Sequence, residues 1–143
     1  MKNKLYLLLA GLIILGSFGI MGCAKEEKNA KVTAEQLIGQ DFLLVSLDGE
    51  AFPGDTPPGM RFDDNMRISG NFCNRYTGTA TLEGGTIKVG QMASTKMACA
   101  NGYLNNLERV VPAMLMDGAD LSLENDRLYI RQGGHEVIYK KAR

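Results

Sequence analysis

The chain has 143 residues, 45% hydrophobic, 22% charged and 7% aromatic, with 16 basic and 16 acidic side chains, one His and no Trp. That length fits one globular domain. A formal net charge of zero excludes a strongly basic nucleic-acid binder, and the ordinary apolar fraction excludes wholesale disorder.

The first segment reads as an address. Lys2 and Lys4 precede an uncharged run from Leu5 to Gly22, the layout of a secretory signal. A membrane anchor is the alternative, since the run is near the lower limit for spanning. The run ends in Ile20-Met21-Gly22-Cys23, which resembles the bacterial lipobox. In such signals a small residue fits the peptidase, and the thiol becomes the thioether that carries diacylglycerol. The expectation is a lipoprotein signal peptide over 1–22, with Cys23 lipidated and the membrane as first partner. Removing 22 of 143 residues leaves 121, with 14 basic and 16 acidic groups. Several acyl chains hold a protein far more firmly than one. Ala24 after the Cys, where the resemblance would place Asp for inner-membrane retention, implies the periplasmic face of the outer membrane. Residues 23–32 are polar and read as a lipidated tether; 33–143 form the domain.

Along the domain, Thr33 to Ile38 suits a short helix with Thr33 as N-cap and Gly39 as stop. Phe42 to Leu47 reads as a buried strand ending in an Asp48-Gly49 turn. Phe52 to Gly59, rich in Pro and Gly, reads as a loop. Met60 and Phe62, then Met66 and Ile68, alternate with polar residues across an Asp64-Asn65 turn, a hairpin. Tyr76 to Leu82 and Thr86 to Val89 pair around Glu83-Gly84-Gly85. Leu104, Leu107, Val111 and Met114 are spaced as one helix face, predicting a helix over 102–116. Pro112 conflicts with it and should kink or shorten it. Strands at 119–123, 128–130 and 137–139 close the chain as a meander. With no βαβ pattern, the fold class is α+β: a curved antiparallel sheet or partly open β-barrel packed over one amphipathic helix.

Cys73 and Cys99 form an even pair in an oxidising compartment, which favours a disulfide. Closing their 26-residue separation would stabilise by roughly 3–4 kcal/mol. The alternatives are two separate buried thiols and a thiolate–thioether site with Met97 and Met92. Asn74, Arg75 and Tyr76 form the most notable polar cluster. They suit a surface recognition patch, with Arg75 as fork and Tyr76 as amphipathic ring, or a structural turn in which Asn74 bonds backbone and Tyr76 anchors the core. Met60, Met66 and Met114 lie on predicted inward faces and suit core filling; soft-metal binding or a pocket for an acyl chain are the alternatives. His135 follows Gly133-Gly134 in a turn without a nucleophile elbow, so no catalytic residue is assigned. No metal site and no cofactor are expected, and Lys96 reads as exposed.

Two segments, Ile68-Ser69-Gly70-Asn71-Phe72-Cys73-Asn74-Arg75-Tyr76-Thr77-Gly78 and Met92-Ala93-Ser94-Thr95-Lys96-Met97-Ala98-Cys99, together resemble the META domain family. Pro112 in the helix, and Phe42 where a Trp would open the first strand, depart from its pattern. The resemblance implies a small periplasmic or surface α+β domain associated with heat shock, envelope stress and antibiotic tolerance. No enzymatic activity is implied. The function expected is a non-enzymatic, stress-associated accessory or interaction module with an unknown envelope protein partner and no nucleic acid. The alternative is a binder of a small apolar ligand, lipid tail or soft metal.

Overall fold

The computed structural model describes residues 31–143. The expectations for the leader, for Cys23 and for the tether as far as residue 30 lie outside the described residues.

A one-turn helix, α1 (Ala34–Leu37), opens the domain. With Thr33 at the N-cap position as expected, the Gln36 side chain accepts from the Thr33 N–H at 2.9 Å, the reciprocal bond of a capping box, and Leu37 is fully buried beneath it. Nine strands follow: β1 (Asp41–Leu47), β2 (Glu50–Ala51), β3 (Gly59–Phe62), β4 (Arg67–Asn71), β5 (Arg75–Glu83), β6 (Thr86–Ser94), then, after helix α2 (Gly102–Asp117), β7 (Ala119–Glu124), β8 (Arg127–Gln132) and β9 (His135–Lys141). Turns at Asp48–Gly49, Gly84–Gly85, Asn125–Asp126 and Gly133–Gly134 each place two residues at positive φ, the backbone that matches hairpin twist.

All neighbouring strands are antiparallel, in the order β2-β1-β3-β4-β5-β6-β7-β8-β9, and β1 also pairs with β9. Eight strands therefore close into a barrel, with β2 as an addition on β1. This corrects the partly open barrel to a closed one. The reason is β1, which offers one edge to β3 and β2 and its other edge to β9; closure removes the free edges that an open sheet would leave. The narrowest seam is β6–β7, paired only at Thr86↔Asp120 and Ile87↔Ala119.

Alternate residues point inward and are buried, among them Phe42, Met60, Phe62, Ile68, Ile87, Leu128, Ile130 and Val137. Helix α2 packs chiefly on β6 and buries Leu107, Val110, Val111, Met114 and Leu115. Asn101 caps it by accepting from the Leu104 N–H at 3.0 Å. Pro112 neither breaks nor shortens it: the helix runs continuously to Asp117, because tertiary burial of the stripe outweighs one lost backbone bond. Met60 and Met114 are core residues as expected. Met66 is not on a strand: it sits in the β3–β4 turn at φ 54 and is half-buried.

Gly70 makes room for Tyr76, one of the barrel's interior aromatics. A Cβ there would run into the Gly59 carbonyl oxygen and lie 2.5 Å from the Tyr76 hydroxyl. Phe72 stacks on Tyr76 with ring centroids 4.9 Å apart. Burial pushes the phenols of Tyr76 and Tyr139 above their ordinary range, and neither hydroxyl has a well-formed hydrogen-bond partner.

The strand directions define two poles. Lys31 lies against the β5–β6 turn, since a Cβ on Gly85 would meet its Cβ at 3.5 Å. β6 runs away from that turn for nine residues, about 26 Å at strand rise. At the far pole lie the β4–β5 turn, the 95–101 segment and the start of α2.

Candidate functional site

The far pole is organised by Asn74. The turn between β4 and β5 is tight, with the Phe72 N–H donating to the Asn74 carbonyl at 3.0 Å. This turns the Asn74 side chain toward the segment that follows β6. Its Oδ1 accepts from the Met97 N–H at 2.7 Å and from the Thr95 hydroxyl at 2.9 Å. Its Nδ2 donates to the Met97 carbonyl at 3.1 Å and to Glu108 Oε2 at 3.0 Å. Both protons and both lone pairs of the amide are thus used. The Asn74 backbone N–H also donates to Glu108 Oε1. One side chain, 6% exposed, ties together a hairpin turn, an irregular segment and a helix.

The three residues of the expected recognition patch do not share one surface. Asn74 is consumed by the clamp, and Tyr76 is only 4% exposed beneath Phe72. Arg75 alone is exposed; its backbone N–H donates to the Thr95 hydroxyl at 3.1 Å. Its guanidinium makes no hydrogen bond or ion pair among the described residues. The structural alternative, in which Asn74 bonds backbone and Tyr76 anchors the core, describes these two residues.

Cys73 and Cys99 are brought side by side, half-buried, as free thiols. The Cys73 thiol is pushed up to about 11, first by its hydrogen bond with Cys99, then by desolvation and by the charges of Cys99 and Glu108. The clamp explains the meeting. Cys73 is adjacent to Asn74, and Cys99 is two residues past Met97. The Cys99 carbonyl in turn accepts from the Asn105 side chain at 2.7 Å. Met97 is 64% exposed, and Met92 lies on β6 among the residues packed against the core.

Among the described residues no three His, Cys, Asp or Glu side chains converge in a metal-binding arrangement. His135 lies at the same pole on another flank, with Nδ1 2.7 Å from Asp48 Oδ2. Asp48 also accepts from the Glu136 N–H at 2.9 Å. Desolvation works to raise the Asp48 carboxyl, but the Glu136 N–H and His135 outweigh it and hold the group below its ordinary value. The pair joins the turn after β1 to the start of β9.

Sequence reasoning missed Glu108, Thr95 and the Met97 backbone. Glu108 sits on the polar face of α2, where it reads as a solvated charge. Only the chain reversal that delivers Asn74 to it gives it a role. A small half-open cleft beside the clamp, lined by Phe72, Asn74, Tyr76, Ser94, Glu108 and Pro112, holds about 70 Å³.

Comparison with known proteins is consistent with this architecture. A family model described as META domain matches residues 35–143. The chain is 37% identical over 122 residues to the Heat shock protein HslJ of Escherichia coli (strain K12), covering 85% of this chain and 86% of that protein. A protein solved by NMR, 36% identical, superposes with a TM-score of 0.71 over 76% of this chain and 94% of its own. A second NMR structure, from Burkholderia xenovorans, is 20% identical and shares the fold with a TM-score of 0.61, covering 76% of this chain and 85% of its own.

Proposed function

The chain belongs to the META domain family, and from that premise we propose that it is a non-enzymatic, lipid-anchored interaction module of the bacterial envelope, acting under heat or envelope stress. The stress association follows from the name of the Escherichia coli relative, a heat shock protein. The lipid anchor on Cys23, and the periplasmic face of the outer membrane as its place, follow from the lipobox-like end of the leader. The observation that carries the interaction role is the polarity of the barrel. Residue 31 enters at the β5–β6 turn, while the clamp and its exposed residues occupy the opposite pole. A domain held by its near pole presents its far pole to partners at high effective concentration. The buried polar groups of the clamp bond one another, which suits a scaffold better than a reaction centre.

The test is photo-cross-linking in intact cells with the full chain and with Cys23→Ala. A discrete adduct with an envelope protein, weakened in the unanchored variant, supports the reading. Adducts and stress survival unchanged by Cys23→Ala overturn the tethering role. Retention of an intact leader with no acyl group on residue 23 overturns the anchor.

In this compartment Cys73 and Cys99 serve as a disulfide staple. Exchange with a disulfide-carrying oxidase forms the Cys73–Cys99 bond, and the oxidase leaves as its dithiol. A second reading, a soft cation held by the same sulfurs, is favoured only by their adjacency. Native mass spectrometry of envelope-purified protein separates the two: a mass lower by two hydrogens indicates the staple, and added copper or zinc mass indicates the cation.

A further inference from the structure

Thr95 to Ala100 follows β6 without regular secondary structure, yet its backbone bonds alternate. The Thr95 N–H donates to the Arg75 carbonyl at 3.0 Å. Met97 uses both its N–H and its carbonyl on Asn74. The Cys99 carbonyl accepts from Asn105. Lys96 and Ala98, between them, make no backbone hydrogen bond among the described residues, and both are exposed. The bonded backbone groups belong to Thr95, Met97 and Cys99 and none to Lys96 or Ala98, so main-chain groups alternate between the body and the open side as they do along a sheet's edge strand. Asn74 stands where a neighbouring strand would otherwise pair.

Three side chains decorate this edge. Met97 is exposed to 64%, the most exposed large hydrophobic of the described residues. Lys96 and the neighbouring Arg75 carry positive charges without an ion-pair partner among the described residues. The clamp carboxylate, Glu108, is already engaged by Asn74. The edge therefore offers unpaired amides, one apolar contact and two free cations.

We propose that the outward edge of Thr95–Ala100 is a strand-addition site for an extended partner segment that alternates acidic and apolar residues. Main-chain bonds to Lys96 and Ala98 give affinity, and Arg75, Lys96 and Met97 select the side chains. The proposal rests on the interaction-module reading and names the surface through which that module would work. The pinned odd residues hold the edge ready, so a partner has little of it to order.

The test uses the full chain in detergent, isotope-labelled for NMR, titrated with a synthetic (Glu-Val)5 peptide and, separately, with (Lys-Val)5. The acidic peptide is expected to shift the Lys96 and Ala98 amides, with binding at least tenfold tighter than that of the basic one. Ala98→Pro removes an outward N–H and leaves the Asn74 bonds intact; about tenfold loss is expected, with the Met97 and Asn74 amide resonances unmoved. If that variant misfolds, Arg75→Glu with Lys96→Glu serves instead and should reverse the preference toward (Lys-Val)5. Equal response to both peptides, shifts confined to other faces, or unchanged binding in the variants overturn the proposal. Concentration-dependent dimerisation through the same amides identifies a second copy of this chain as occupant and overturns it as stated. In-cell adducts formed from another face would retain the module and discard this edge, so the two failures are distinguishable.

Discussion

Glu108, in the second turn of α2, accepts two hydrogen bonds from Asn74, one from the backbone N–H and one from the side-chain amide. The same amide holds Met97 by both backbone groups, Nδ2 donating to its carbonyl and Oδ1 accepting from its N–H. Asn74 thereby joins helix and barrel at the far pole, where Tyr103 of α2 adds a second link by accepting from the Leu47 N–H at 3.1 Å and donating to the Glu50 carbonyl at 2.9 Å. Asn74→Ala leaves the Met97 groups and the Glu108 carboxylate without their partner and should cost about 2–3 kcal/mol, read by urea unfolding. Asn74→Asp removes the two donors and sets one carboxylate against another, so it should cost at least as much. A cost below about 0.5 kcal/mol for both variants would show the clamp to be incidental.

The glycines of the sheet separate by space. At Gly70 an added Cβ meets the Gly59 carbonyl and the Tyr76 hydroxyl, while at Gly90 it meets nothing within 4 Å. Gly70→Ala should destabilise by about 3 kcal/mol through overpacking. Gly90→Ala should be neutral within about 0.5 kcal/mol. Thermal unfolding of the two variants side by side decides it, and equal melting temperatures would contradict the crowding at Gly70.

Asp48 gives the fold a defined acid dependence. In the folded state its carboxyl titrates below the ordinary value of 3.8 because the Glu136 N–H and His135 outweigh desolvation. The stabilisation is fully present above the unfolded value and is lost as pH falls through the folded one. Asp48→Asn keeps a residue suited to the positive φ of 51 at this turn and removes the carboxylate. Stability measured from pH 7 down to 2 should fall less steeply in the variant below about pH 4. Parallel curves would show that the pair contributes nothing to pH dependence.

Reduced Cys73 should be a poor nucleophile. With its thiol pushed up to about 11 by Cys99 and its surroundings, about one molecule in a thousand carries the thiolate at pH 8. Iodoacetamide should therefore modify Cys73 slowly at pH 8 and faster with each step toward pH 11. Cys99→Ser, which replaces the thiol partner, should raise the rate at pH 8. Mass mapping of the reduced chain over time measures both. Rapid labelling of Cys73 at neutral pH would contradict the shielding.

Much of this architecture is legible in residue order, because periodicity and turn chemistry are local. Alternation of Met60, Phe62 and Ile68 marks strands. The spacing of Leu107, Val111 and Met114 marks the helix. Gly84-Gly85, Asn125-Asp126 and Gly133-Gly134 mark turns. The paired CNRY and ASTKMAC segments point to the family.

What residue order leaves open depends on long-range geometry. Met66 fits a strand by alternation, yet the chain reverses through it. Pro112 argues against a helix that packing nevertheless holds. Closure of β1 on β9 joins segments almost a hundred residues apart, and only the accumulated twist of eight strands decides whether they meet. The role of Asn74 is the sharpest case. Its amide can make a patch or a clamp, and the choice rests on whether Met97 and Glu108 arrive within hydrogen-bond reach, which is set by the three-dimensional path of the barrel and not by any neighbour in sequence.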